Sequence, residues 1–163
     1  MARRAHELIS KTRKGTFRVN APEGFLDVVE RVMGQYRQEL TKGVESLMDP
    51  GHRRLHPTAY HDDPQRDAEY HSLMGDELLA SRLHALDEMA ETLRVDTITL
   101  AQLTSWMLTV NGIRLLLGTR LDVSEDDGYD GPDDADEDTR DGFHLYWALG
   151  EFLEHIVQVQ LED

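Results

Sequence analysis

The sequence predicts a mainly α-helical fold: a four-helix bundle-like domain with a short N-terminal β-hairpin and a disordered acidic loop before the last helix. Four long segments carry apolar residues at intervals of three and four, which is the spacing of one helix face. The chain contains 22 Leu against 14 Val and Ile together, a balance that favours helix over strand. Because 163 residues is the length of one domain, we expect residues 1–163 to form a single domain.

The basic N-terminal arm, residues 1–20, predicts the hairpin. Apolar and polar residues alternate loosely around Leu8 and through residues 16–19, on either side of a Lys14-Gly15 break that suits a glycine turn. Six Lys and Arg against Glu7 alone give this arm a net charge of +5.

The first two predicted helices have clear end signals. The first begins at Pro22 and ends near residues 49–51, where the sequence Asp-Pro-Gly interrupts the pattern. A polar linker follows. The second helix begins at Asp62-Asp63-Pro64, because an acid can cap the helix and proline suits its first turn, and it runs to Leu93.

In the sequence, the acidic loop lies between the last two predicted helices. Asp96 or Thr97 can cap the third helix, whose apolar stripe ends near Gly118, a plausible stop. The fourth runs over residues 143–161. Between them, residues 122–141 hold eleven acids against one Arg, a net charge of −10, with almost no large apolar residue, and this composition predicts solvated disorder.

Composition excludes several classes of function. The net charge of −15 repels nucleic acids and anionic membranes from most of the surface. The chain has no long apolar run and no apolar signal segment in its first twenty residues, so we expect it to be soluble and cytoplasmic. The absence of cysteine excludes disulfides, thiolate metal sites and thiol nucleophiles within this chain.

No catalytic motif is present, and we predict neither an enzyme nor a cofactor. The sequence lacks a GxSxG motif, a HExxH motif and a phosphate-binding glycine loop. Residues 126–137 fit an EF-hand template only in part, because Gly128 and Pro132 occupy ligand positions. We therefore predict no specific metal site, and weak binding of divalent cations by the acidic loop stays open.

The third helix contains two polar residues one turn apart, Asn111 and Arg114, in an otherwise apolar stretch. Burying either group without a partner is costly. We expect Arg114 to reach a carboxylate on a neighbouring helix, with Glu77 or Glu151 as candidates, and Asn111 to bond to a backbone carbonyl. The alternative is that both residues face a binding partner.

Three segments resemble one protein family: RRLHPTAYHDDPQRDAEYHSLMGDELLASR, NGIRLLLGTRL and FHLYWALGEFLEHIV, which together cover about residues 53–161. They are similar to the R-L-x-P-x-A-Y-x-D-D-P, N-D-x-R-L-x-L-G-T-x-L and Y-x-W-L-x-x-x-Q-E-x-L patterns of the actinobacterial AosR-type oxidative-stress regulators. That family was formerly described only as a domain of unknown function, and its genes stand beside the gene of the ClpS adaptor. Gly112 departs from the pattern, which has an acid there, and so does the spacing around Glu151.

The resemblance implies a non-catalytic regulator of stress-response transcription that engages an extracytoplasmic-function sigma factor in a redox-dependent way. Because this chain has no cysteine, a disulfide switch cannot operate in it. The candidates for a partner surface or a structural motif are Arg54, Tyr60, Asp62, Asp63, Asn111, Arg114 and Trp147.

Two other functions stay open. The gene neighbourhood of the family suggests a factor in Clp-dependent proteolysis, with a Clp component as partner. The basic arm suggests direct DNA binding, although the overall charge disfavours nucleic acid. The Leu-rich helices are also compatible with a homodimer.

Overall fold

Residues 7–42 and 62–162 are described by the computed structural model. The described elements, in chain order, are β1 (Ile9–Lys11), β2 (Phe17–Val19), α1 (Glu23–Thr41), α2 (Pro64–Thr92), β3 (Thr97–Ile98), α3 (Leu100–Arg120) and α4 (Glu137–Gln160). The prediction of a mainly α fold with an N-terminal hairpin is confirmed. The predicted continuation of the first helix to residues 49–51 lies outside the described residues.

The hairpin is part of a three-stranded sheet, whose third strand the sequence pattern did not predict. Strand β1 pairs antiparallel with β2, and β2 pairs antiparallel with β3, with Phe17 opposite Ile98. Gly15 turns the hairpin with a φ of 79°, a backbone conformation that glycine adopts without strain. The apolar side chains of Phe17 and Ile98 are buried, so this small sheet covers one part of the helical core.

Strand β3 corrects the predicted start of the third helix. Thr97 lies in the strand, and the helix cap is Thr99, not Asp96 or Thr97. The Thr99 hydroxyl accepts a hydrogen bond from the Gln102 amide at 3.2 Å, and the Gln102 side chain accepts one from the Thr99 amide at 2.9 Å. This reciprocal pair is a capping box, which satisfies two backbone donors at the start of α3.

Gly118 does not end α3 as predicted. The helix continues to Arg120, and the residue in the left-handed region beyond its end is Asp122, with a φ of 52°. The Val123 amide donates to the Gly118 carbonyl at 3.0 Å and the Asp122 amide to the Thr119 carbonyl at 3.1 Å. These two bonds form a Schellman motif, which satisfies the last carbonyls of the helix without a terminal glycine.

The core is built around α3, which packs against α2, α4 and α1. Trp106 is fully buried, and its indole Nε1 donates to the Thr92 hydroxyl of α2 at 2.8 Å. Phe152 of α4 lies on its other flank, with ring centroids 6.2 Å apart. A helix in contact with three others must be apolar on most of its circumference, which explains the unusual composition of this segment.

The acidic segment is partly helical, whereas we predicted a loop over all of residues 122–141. Its last part, residues 137–141, belongs to α4, because Asp136 caps this helix by accepting a hydrogen bond from the Thr139 amide at 2.8 Å. A hydrogen bond from the Thr139 side chain, together with the one from the Thr139 amide, holds the pKa of Asp136 below its ordinary value. Two further acids in the first turn of α4, Glu137 and Asp138, are favoured by the helix dipole.

Among the helices of the described residues, none has both the length and the apolar character needed to cross a membrane.

Candidate functional site

Arg114 packs against an aromatic ring, and the predicted ion pair with Glu77 or Glu151 is wrong. Its guanidinium carbon lies 4.6 Å from the centroid of the Tyr146 ring on α4, a cation–π contact. Gly150, one turn further along α4, leaves the space for this arrangement, since a Cβ there would lie 3.1 Å from Arg114 Nε. That Nε is buried and has no hydrogen-bond partner among the described residues. Arg114 therefore joins α3 to α4.

Trp147 and its neighbours on α4 hold the acidic loop. The Trp147 indole donates to the Gly128 carbonyl at 3.2 Å. The His144 Nε2 lies 2.6 Å from the Asp130 carboxylate, and the His144 ring stacks on Tyr129 with centroids 4.5 Å apart. These contacts hold the loop against the first half of α4.

The loop also makes a close backbone approach to the core. Gly131 has a φ of 76°, and a Cβ at this position would lie 2.6 Å from the ring of buried Phe143. Only glycine satisfies both conditions.

The other motif candidates divide into two groups. Asp63 has the predicted capping role, since its carboxylate accepts a hydrogen bond from the Arg66 amide at 3.1 Å and Pro64 is the first residue of α2. Asp62 is exposed in the preceding turn. Arg54 and Tyr60 lie outside the described residues.

The outer face of α3 is uncharged. It is formed by residues on successive turns, Leu100, Thr104, Leu108 and Asn111, all of which are exposed. They belong to a run of 17 residues, 97–113, that contains no charged side chain, in a chain in which 30% of residues are charged. Asn111 therefore lies at the surface and forms no hydrogen bond to another described residue, contrary to the predicted bond to a backbone carbonyl.

A cleft opens beside this face, between α1, α2 and α3. Its volume is about 190 Å³. Its walls are apolar, and its polar groups come from all three helices. Those polar residues are Tyr36, Ser81, Arg82, Thr109 and Asn111, and the apolar ones include Leu78, Ala85, Leu108 and Leu115.

The Tyr36 side chain reaches the cleft because the residue opposite its phenol, Gly112, has no side chain. A Cβ on Gly112 would lie 2.2 Å from the Tyr36 hydroxyl oxygen, so the phenol rests directly against the backbone of α3. Burial raises the pKa of Tyr36, and the nearby positive charge of Arg82 partly offsets this effect. Burial also lowers the pKa of Arg82. The cleft thus brings a partly desolvated guanidinium close to a protonated phenol.

Thr109 adds a buried hydroxyl that lacks a partner. The residue is 2% exposed, and its Oγ1 forms no hydrogen bond with any described residue. Two other threonines of α3 behave differently, since the hydroxyls of Thr104 and Thr119 each donate to the carbonyl four residues earlier at 3.0 Å. Leaving a buried hydroxyl unpaired costs stability, so Thr109 is an unfavourable feature of the α3 packing.

The cations of the hairpin do not pair with the acidic loop in the described residues. The Lys11 ammonium donates to the Glu162 carbonyl at 2.6 Å, and Arg18 lies 3.8 Å from the Asp96 carboxylate. Arg13 and Lys14 are exposed at the turn of the hairpin. In the part of the chain that the structure describes, no three His, Asp or Glu side chains are grouped closely enough to hold a metal ion.

Comparison with known proteins places the chain in a family. A family model described as a domain of unknown function (DUF2017) matches residues 3–160, so this chain belongs to that family. The match includes the hairpin, the four described helices and the cleft between α1, α2 and α3. No curated protein and no solved structure matches the chain.

Sequence reasoning missed three residues of the cleft, namely Tyr36, Arg82 and Thr109. Tyr36 occupies a position that the apolar periodicity assigns to a buried helix face, Thr109 is a polar residue outside the predicted apolar stripe, and Arg82 is one of many charged residues on α2. The available signal was Gly112, because a glycine in the middle of a long helix often marks a close approach by another group.

Proposed function

We propose that this protein is a non-catalytic cytoplasmic regulator that acts by binding another protein through the outer face of α3. The observation that carries the proposal is the absence of charge on that face. The cores of protein interfaces are depleted in charged residues, whereas the free surface of an acidic protein is not.

The face is apolar as well as uncharged. Leu100 and Leu108 are 56% and 52% exposed, and Thr104 lies between them on the same side of the helix. A single exposed leucine carries little information. Two leucines on one uncharged face, beside a cleft, form a patch of the kind that marks an interaction surface.

The partner that we propose is an extracytoplasmic-function sigma factor, with stress-response transcription as the process. Support comes from the resemblance to the AosR-type regulators. The segment NGIRLLLGTRL that carries much of this resemblance forms the second half of α3, directly after the uncharged face.

Leu100→Glu tests the proposal by placing a charge on the face. An acid in the first turn of α3 is compatible with the helix dipole, so the fold is retained. We expect the Kd for a purified sigma factor of the same organism, measured by calorimetry, to rise by about tenfold or more, because a desolvated unpaired charge opposes binding.

Leu161→Glu is the matched control, since Leu161 is 78% exposed at the end of α4 and is not one of the residues that form the outer face of α3. Its Kd should equal that of the unmodified chain. The proposal is contradicted if no sigma factor binds, or if both variants bind equally well. Binding to a purified Clp chaperone or its adaptor instead would favour the proteolysis alternative.

Direct DNA binding is the second candidate, favoured by the exposed Arg13 and Lys14 at the hairpin turn. It predicts an affinity for duplex DNA that falls steeply with salt concentration.

A further inference from the structure

The exposed residues on the outer face of α3 are arranged symmetrically about Thr104. Leu100 lies four residues before Thr104 and Leu108 lies four residues after it, and all three side chains are exposed on one side of the helix. The order leucine, threonine, leucine is therefore the same when the helix is read in either direction. A two-fold dimer interface requires such a pattern, because the same surface of each copy forms both halves of the interface.

The charge of the chain restricts where two copies can meet. Each copy carries a net charge of −15, and like charges placed opposite each other across an interface oppose association. The outer face of α3 lies within the run of residues 97–113, which contains no charged side chain. Screening at physiological salt acts over about 8 Å, so charges outside the contact add little repulsion. In charge, the outer face of α3 is therefore complementary to the same face of a second copy.

Thr104 is suited to the centre of this contact. Its hydroxyl donates to the Leu100 carbonyl at 3.0 Å, so covering the side chain leaves no donor without a partner. On either side, Leu100 and Leu108 are 56% and 52% exposed and supply the apolar area. Asn111, three residues beyond Leu108, lies where the polar rim of an interface is expected.

We infer that two copies of this chain pair through the outer face of α3, with the two helices antiparallel. Thr104 lies on the two-fold axis, and Leu100 of each copy packs against Leu108 of the other. The contact is a single pair of helices, which places the dimer among small and transient interfaces. The second copy covers the surface that we propose for the sigma factor, so dimer and complex exclude each other. This competition rests on the proposed function, and the dimer itself does not.

Sedimentation of the purified full chain, without a sigma factor, measures the dimer. We expect the average mass to rise from that of a monomer to that of a dimer between about 1 μM and about 1 mM. Leu100→Glu places two unpaired charges in the symmetric interface and should raise the dimer Kd by about tenfold or more. Leu161→Glu makes the same change at an exposed residue outside this face and should leave the Kd unaltered. A monomer at every concentration, or the same Kd for both variants, overturns the inference.

The absence of cysteine allows the register to be tested by disulfide formation. A disulfide requires two Cα atoms within about 7 Å, and helices packed about 10 Å apart bring the Cα atoms at their crossing point to roughly 5 Å. Under mild oxidation, Thr104→Cys should therefore form a linked dimer, whereas Leu161→Cys reports the rate of chance collisions. If Thr104→Cys links no faster than Leu161→Cys, the inference is wrong.

Two further single-cysteine variants test the antiparallel arrangement. The two copies of position 100 lie about 12 Å apart along the paired helices, so Leu100→Cys alone should link slowly. A mixture of Leu100→Cys with Leu108→Cys should link rapidly. If the mixture links no faster than either variant alone, the proposed register is contradicted.

Adding a purified sigma factor to Thr104→Cys before oxidation tests the competition and should suppress the link. A sigma factor that binds without suppressing the link contradicts the competition. If a sigma factor binds a chain that is always monomeric, the inference fails and the proposed function holds. If the chain dimerises through this face and no sigma factor binds it, the proposed function fails and the dimer holds.

Discussion

Gly112 and Tyr36 form the contact that sets the floor of the cleft. The phenol oxygen occupies the space that the first side-chain carbon of any other residue would need at position 112. The AosR-type pattern has an acid at this position, so an acid there would exclude the Tyr36 arrangement seen in this chain. The cleft therefore depends on one small residue in the middle of a helix.

We predict that Gly112→Ala destabilises the protein by about 1–2 kcal/mol, because overpacking against a buried ring costs more than the gain in helix propensity. Gly34→Ala is the matched control: the same change in α1, where nothing lies within 4 Å of the added carbon. It should stabilise the protein by about 0.5–1 kcal/mol. Urea unfolding of both variants measures the difference, and the same sign for both would contradict this account.

The acidic loop is held against α4 by side chains of that helix, and apolar periodicity in the sequence does not reveal these contacts. Tyr129 and Asp130 on the loop meet His144, and the Gly128 carbonyl accepts from Trp147. Composition predicts solvation of such a loop correctly, since most of its acids are exposed. It does not reveal these contacts, because they join the loop to side chains on the helix that follows it.

His144→Ala removes the ring stacking on Tyr129 and the hydrogen bond with Asp130 together. We expect faster cleavage of residues 122–136 by endoproteinase Asp-N, with an unfolding free energy changed by less than about 1 kcal/mol because the contacts are near the surface. His84→Ala, at an exposed position of α2, should leave the cleavage rate unchanged. If the two variants are cleaved at the same rate, His144 does not restrain the loop.

The helices could be predicted from the sequence, and the cleft could not. Apolar periodicity and the Asp63-Pro64 start signal gave α2 within a residue. Strand β3 was missed because two residues are too few to show an alternating pattern. Arg114 was assigned a carboxylate partner because the sequence does not reveal that its guanidinium packs on the Tyr146 ring, in the space that Gly150 leaves on α4.

Across the whole molecule, α3 combines two roles. On its inner sides, α3 packs against α1, α2 and α4 through Trp106 and the surrounding core. Its outer face contains no charged residue. A helix that only supported a core would be expected to carry charged residues where it meets solvent. We therefore propose that a partner protein covers the outer face of α3.

The most direct measurement replaces Thr104, at the centre of this face, with the photo-cross-linking residue benzoylphenylalanine and irradiates the full chain in the organism that produces it. We expect a covalent adduct with an extracytoplasmic-function sigma factor, identified by mass spectrometry, and no such adduct when the same residue replaces Leu161. A sigma-factor adduct from position 161 with none from position 104, or no sigma-factor adduct at all, would show that a sigma factor does not bind the outer face of α3.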